Sequence, residues 1–212
     1  MEQQAFEIKQ IMVLRDVKVL KALLNKLRSK ILQLLITKEY TVQQLTNVLS
    51  EMLEKEINPG TIYHHVKELQ KARLVAETRT VQEKNIVSRY YRAVAREFRV
   101  DFSIITGEKD KDVSQWVKSR VTNLIDALRA YNIDIPEEEY PEAEEHITEF
   151  INLENKIKEE VTPKNPELLK NMASSTAKDA FSLMSLYRLD QNKNYVERKE
   201  KLLNFLEKHE NV

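Results

Sequence analysis

Apolar positions in the first half of the chain recur at helical spacing in short blocks, each opened by a polar residue suited to cap a helix. Residues 26–37 place Leu27, Ile31, Leu34 and Leu35 on one side, with Asn25 as the expected cap. Lys38-Glu39-Tyr40 reads as a turn. Thr41 and Gln44 then form a capping box, with Tyr40 and Leu45 where a hydrophobic staple would close. The helix that follows, 42–54, turns Val42, Leu45, Val48 and Leu49 inward, extended by Met52 and Leu53. Asn58 caps a third helix over 59–72, with Pro59 at the first helical position, where its missing N–H costs nothing. Ile62, Val66 and Leu69 form its narrow apolar stripe. Ahead of these blocks, residues 6–24 (Phe6, Ile8, Ile11, Met12, Leu14, Val17, Leu20, Leu23, Leu24) are more apolar than a lone terminal helix needs. That stretch is expected in the ordinary core, or partly against a partner chain or the C-terminal helices.

The period then changes from helix to strand. Residues 74–80 and 86–93 are rich in β-branched and aromatic residues and alternate, with the polar tip Gln82-Glu83-Lys84-Asn85 between them; this predicts a hairpin. A further run, Phe98, Val100, Phe102, Ile104, alternates and is expected to extend the sheet or lead into a second domain.

Beyond Gly107 the pattern is helical to the end. About 111–131 carries Val117, Val121, Leu124, Leu128 and Tyr131 at alternating four-and-three spacing, a coiled-coil-like seam. About 137–160 carries Ala143, Ile147, Phe150, Ile151 and Ile157; about 167–189 carries Leu169, Met172, Ala173, Ala180, Leu183, Met184 and Tyr187; about 193–209 carries Tyr195, Val196, Leu202, Leu203 and Leu206. The expected architecture is mostly α with a small β-wing: an N-terminal domain over 1–105 and a helical domain over 106–212.

Charge separates the two halves. Residues 1–100 hold 18 Lys and Arg against 11 Asp and Glu, a net of +7, and residues 101–212 carry the compensating −7. A basic half beside an acidic half points to a polyanion as partner of the first. The polar side of the 59–72 helix fits that partner: Gly60, Thr61, His64, Lys67 and Lys71 lie opposite the apolar stripe, with Tyr63 on the flank. Short donors at a helix N-terminus and cations further along are what a helix needs to read base edges and meet phosphates. The plainer reading, an ordinary surface helix, weighs about equally on this helix alone.

Composition removes several function classes. The chain has no cysteine, which excludes disulfides, zinc–cysteine sites and cysteine nucleophiles. Two glycines, Gly60 and Gly107, cannot build a phosphate-binding or dinucleotide-binding loop. Met1 to Gln10 is polar and acidic, no apolar run reaches the ~18 residues of a membrane span, and a cytoplasmic location is expected.

His64 and His65, adjacent on a helix, point about 100° apart and cannot chelate one ion. The acidic run 137–146 has Ala143 three residues before His146, where a carboxylate-bridged metal bundle would need Glu. It reads as a solvated helix start. No metal, no cofactor and no enzyme activity are expected.

Helix, helix, helix, hairpin is the order of a winged helix-turn-helix. The runs 26–35, 40–45 and 61–69, then Leu74-Val75 and Tyr90-Tyr91-Arg92, resemble the ArsR-type winged-helix transcription regulators, most closely archaeal members without the metal-sensing cysteines. The resemblance spans roughly residues 15–104. It implies that Pro59 to Lys71 is the recognition helix and Gln82 to Asn85 the wing tip. Thr61, Tyr63, His64 and Lys67, with Gly60, then become groove contacts, and Lys71, Arg79, Lys84, Arg89, Arg28 and Lys30 phosphate contacts. It implies a homodimer on double-stranded DNA; the acidic helical half itself reads as a dimerisation module and a candidate place for an effector of unknown identity.

Trp116, Phe150, Met172, Phe181, Met184 and Tyr187 are candidates to line an effector pocket, packed core being the more ordinary role. Two departures stand out: the segment between the second and third helices is about six residues longer than the family's, and Arg73 replaces the usual glycine after the recognition helix. The competing readings are a winged-helix protein-interaction module without specific DNA binding and, third, a helical enzyme or metal protein.

Overall fold

In a computed structural model, residues 8–84, 86–107, 110–165, 167–170 and 172–211 are described. The chain divides into two compact units, Met1–Phe98 and Arg99–Val212.

In the first unit, β1 (Lys9–Leu14) precedes α1 (Val17–Leu23), α2 (Lys26–Thr37), α3 (Val42–Met52) and α4 (Pro59–Lys71). β2 (Val75–Glu83) and β3 (Ile86–Ala93) follow, and β4 (Ala95–Val100) closes back on β1. The terminal apolar stretch is thus half strand: Ile11, Val13 and Leu14 are buried from β1, and Asp16 caps α1 by accepting from the Lys18 N–H at 2.8 Å. Phe6 lies outside the described residues. The run beginning at Phe98 does not widen the hairpin, because β4 pairs with β1 in a separate two-stranded sheet. Tyr40 is what adds to the hairpin, exchanging backbone hydrogen bonds with Tyr91 at 3.0 and 2.9 Å.

Local chemistry sets each helix boundary. The Asn25 carboxamide oxygen accepts from the N–H groups of Leu27 and Arg28 at 3.0 and 3.1 Å. Thr41 and Gln44 close both bonds of the capping box, at 3.2 and 2.9 Å. α3 stops with Glu54 left-handed at φ 49°, and Lys55 N–H returns to the Ser50 carbonyl at 3.1 Å. The long 50–57 segment is therefore helix only to Met52 and a turn beyond it, tied down where Ser50 Oγ accepts from the Ile57 N–H at 3.1 Å.

α4 ends the same way. Arg73 is left-handed at φ 57°, its N–H reaches the Gln70 carbonyl at 2.9 Å, and Leu74 N–H reaches the Leu69 carbonyl at 3.0 Å. This is a Schellman cap with arginine at the glycine position. Leu20, Ile31, Leu35, Leu45, Leu49, Ile62, Val66, Leu69, Leu74 and Tyr91 form the buried core of this unit.

The second unit begins with a 3-10 turn at Phe102–Gly107, then α5 (Lys111–Leu128), which continues as a 3-10 turn to Tyr131. After a further turn at Glu137–Glu139 come α6 (Tyr140–Glu159), the four-residue α7 (Glu167–Lys170), α8 (Ser174–Asp190) and α9 (Lys193–Glu207). The α5 seam is Val113, Val117, Val121 and Ile125, a straight four-residue stripe in place of the four-and-three alternation; Leu124 and Tyr131 are exposed. One core joins Val121, Ile125, Ile135, Ala143, Ile147 and Phe205, and a second joins Ile157, Leu189 and Tyr195 with Phe150 and Leu153 packed on it.

Two asparagines one turn apart on α6 hold the start of this unit. Asn152 Oδ1 accepts from the Phe102 N–H at 2.8 Å, and buried Asn155 accepts from Arg99 at 3.0 Å while donating to the Val100 carbonyl at 3.3 Å. The His209 side chain is nearly buried, 3.1 Å from a Glu139 carboxylate oxygen and against the Phe205 ring. His146 packs on the same ring.

Candidate nucleic-acid interface

Burying Ile62, Val66 and Leu69 fixes which side of α4 meets solvent. Gly60, Thr61, Tyr63, His64 and Lys71 are exposed there, in the order expected of a recognition face. Gly60 has a local task as well. Its N–H donates to Asn58 Oδ1 at 2.7 Å, and a Cβ at this position would stand 3.0 Å from that oxygen, crowding the cap. Position 60 keeps the first turn of α4 smooth and leaves space above it.

Lys67 is placed differently from its neighbours. It is half-buried, donates to the Gln70 carboxamide at 2.9 Å, and lies 5.4 Å from the Tyr63 ring centroid and 5.9 Å from that of Tyr91. Tyr91 is core, and burial pushes its phenol up. Lys67 is thereby a packed cation at the edge of the face, held by rings and an amide.

Most of the cations assigned to phosphates are already engaged with carboxylates of the same unit. Lys71 Nζ pairs with Glu68 at 2.7 Å, and Arg28 approaches the other Glu68 oxygen at 4.0 Å. Arg79 pairs with Glu39 at 2.7 Å and stacks 3.6 Å over the Tyr90 ring. Arg89 lies 3.6 Å from Glu77 across the hairpin. The Lys71 ammonium holds the Glu68 carboxyl below its usual range, and the Arg79 guanidinium does the same for Glu39, so both acids are ionised near neutrality.

Lys84 has no such partner among the described residues. It stands exposed at the wing tip, left-handed at φ 53°, next to Asn85, which lies outside the described residues. Lys30 is half-buried on α2.

The three acids, Glu39, Glu68 and Glu77, are the ion-pair partners of these cations that the sequence reading passed over. Glu68 and Lys71, three apart on one helix, carried a readable signal. Glu39 and Arg79 are forty residues apart and carried none. The proposed pocket residues are not gathered: Met172, Met184 and Tyr187 are exposed, Phe150 packs against Tyr195, and Trp116 lies under Arg120.

Residues 25–77 match the model of the bacterial regulatory protein arsR family. The chain has no match among curated proteins. Among solved structures, it is similar to reduced HlyU from Vibrio cholerae at 22% identity, covering 48% of this chain and 80% of that one, with a TM-score of 0.27. A homodimeric winged helix-turn-helix DNA-binding domain, Mb0332 from Mycobacterium bovis, described as a possible ArsR-family regulator, is 20% identical over 55% of this chain and 80% of its own, with a TM-score of 0.29. PadR from Bacillus subtilis, solved in complex with operator DNA, is 19% identical over 86% of this chain and 99% of its own, with a TM-score of 0.30. Together with the helix order, capping pattern and wing described above, the arsR match makes the first unit a winged helix-turn-helix of the kind found in transcription regulators. Among the described residues no helix is long and apolar enough to cross a membrane.

Proposed function

We propose that the protein is a sequence-specific, double-stranded DNA-binding transcription regulator that acts as a homodimer. α4 enters the major groove, and the wing, residues 80–88, lies on the backbone or in the minor groove. Residues 1–105 form the DNA-binding domain and 106–212 the dimerisation domain. The observation that carries this reading is the exposure of Thr61, Tyr63 and His64 on the first two turns of a helix whose opposite side is fully buried. Base edges are read from the N-terminal turns of such a helix. Two copies related by a two-fold axis would set their recognition helices about 34 Å apart.

The test separates reading from positioning. Duplexes selected from random or genomic fragments by the wild-type protein define its preferred sequence. Thr61→Ala and His64→Ala are expected to change that preference, at about 1–3 kcal/mol per lost base contact. Lys84→Ala is expected to weaken all duplexes alike and to flatten the salt dependence by about one unit. Unchanged titrations for all three would place the interface elsewhere.

The internal pairing of Arg28, Lys71, Arg79 and Arg89 favours a second reading, a protein-interaction module whose basic face is incidental. A steep loss of duplex affinity with salt supports DNA binding; a flat response supports the second reading.

A further inference from the structure

α8 is apolar on both sides. Ala177, Ser185 and Leu189, eight and then four residues apart, are buried, with half-buried Phe181 between the first two. On the opposite side Leu183 is 67% exposed, Leu186 63% and Tyr187 57%, with Ala180 and Thr176 completing the strip. The sequence pattern assigned Leu183 and Tyr187 to the core; the structure turns both outward. A helix that is hydrophobic all round is a buried helix, and several large side chains exposed on one strip mark an interaction surface.

We propose that this outward strip of α8 is a self-docking surface, on which α8 of a second copy of the chain lies antiparallel about a two-fold axis at Leu183. The inference rests on the dimeric reading above and says which surface carries it. The occupant follows from the order of residues along the strip. In an isologous contact each residue meets the one equally far on the other side of the axis. With the axis at residue 183, Leu183 meets the partner's Leu183, and Ala180 meets the partner's Leu186, small against large. Asp179 meets the partner's Tyr187, and Thr176 meets the partner's Asp190. Each carboxylate therefore faces a hydroxyl able to donate to it. Moving the axis half a turn, to between residues 184 and 185, would set Asp179 against the partner's Asp190, like charge against like. Of the two registers, the axis at residue 183 sets each polar residue of the strip against a complementary one and uses the whole helix. The strip carries no Lys or Arg, and residues 101–212 are net acidic, so apolar contact and not opposite charge must drive the association.

The experiment uses the full chain. Sedimentation equilibrium is expected to show a dimer whose dissociation is not promoted by salt. The double variant Leu183→Glu with Leu186→Glu is expected to raise the dimer dissociation constant roughly a hundredfold or more while leaving the far-ultraviolet circular dichroism unchanged, since both side chains are exposed in the protomer. Because the chain has no cysteine, Leu183→Cys supplies an independent reading. Residue 183 sits on the axis, so mild oxidation should link two copies through it, while Lys178→Cys, on the other side of α8, should not link. A wild-type dimer that survives the double variant, and in which Leu183→Cys fails to link, overturns the surface and leaves the dimeric reading standing. A wild-type monomer at micromolar concentration overturns both. Duplex binding by the wild type, measured separately, tests the DNA reading without reference to α8.

Discussion

The Arg79 guanidinium is clamped by the Glu39 carboxylate, with Nε 2.8 Å and a terminal nitrogen 2.7 Å from the same oxygen. Thr78 Oγ1 donates to the other oxygen at 2.9 Å. The clamp joins the wing to the turn before α3 and raises the Arg79 pKa as it lowers that of Glu39. It also opposes phosphate binding, because two of the five guanidinium N–H donors are taken up and the Glu39 charge repels a phosphate approaching the others. Glu39→Gln is therefore expected to tighten duplex binding at low salt by about two- to fivefold, the scale of a surface ion pair, and to steepen the salt dependence. Gel-shift titrations at several salt concentrations check this. Weaker binding would mean that Glu39 serves to orient Arg79 for the backbone.

Features written in neighbouring residues were legible. Asn25, the Thr41–Gln44 box and the Asn58-Pro59 start gave the openings of α2, α3 and α4, and alternation gave the hairpin. Features made by distant partners were not. β1 forms because β4, some eighty residues on, supplies its hydrogen-bond partners, and nothing within residues 6–24 announces that. Asp16 before Val17 was the one local hint that the helix starts there and not earlier. On α4 the exposed face followed from the apolar stripe, and the Lys71–Glu68 pair is local, but the pairing of Arg28, Arg79 and Arg89 with Glu68, Glu39 and Glu77 on other elements is a tertiary matter. α8 was misread for the opposite reason: apolar residues on every side leave periodicity no way to choose the inward one.

Arg73 adopts a backbone conformation that costs an L-residue about 1–2 kcal/mol and costs glycine nothing, partly offset by the larger entropy glycine loses on folding. The Schellman bonds around it are already formed, so Arg73→Gly changes no hydrogen bond. The substitution is expected to stabilise the first unit by about 1 kcal/mol, with Arg73→Ala near neutral. Urea unfolding midpoints of the two variants decide it; equal midpoints would show that the Arg73 side chain contributes as much as its strain removes.

Asn155 is the most deeply buried amide on α6 and serves two partners at once, Arg99 and the Val100 carbonyl. Asn155→Ala would leave a buried carbonyl unsatisfied and an arginine short of an acceptor, at a cost of about 1–3 kcal/mol. Asn155→Leu is expected to be no better, since it fills the space without restoring either bond. Asn152→Ala, which frees only the Phe102 N–H, is expected to cost less. Thermal unfolding of the three variants gives the order, and a milder loss for Asn155→Ala than for Asn152→Ala would contradict it.

His65 makes stability depend on pH in a window of its own. Burial, aided by Arg28 and His64 and opposed by Glu68, lowers its pKa below the ordinary 6.5. Its Nδ1 is buried with no hydrogen-bond partner, so a proton placed there would be unpaired. The sign follows from which state binds more protons. Below pH 6.5 the unfolded chain protonates His65 and the folded protein resists, so stability is full above 6.5 and falls as pH drops toward the folded pKa. Glu39 and Glu68, lowered from 4.5, act in the same direction but only in more acid solution, where their ion pairs are lost. Urea midpoints at about pH 7.5 and about pH 5.5 therefore isolate the histidines from the carboxylates. The wild type is expected to lose stability between the two, and His65→Gln to lose measurably less, whatever its stability at the higher pH. An identical loss in the variant would show that His65 is not the source of the pH response.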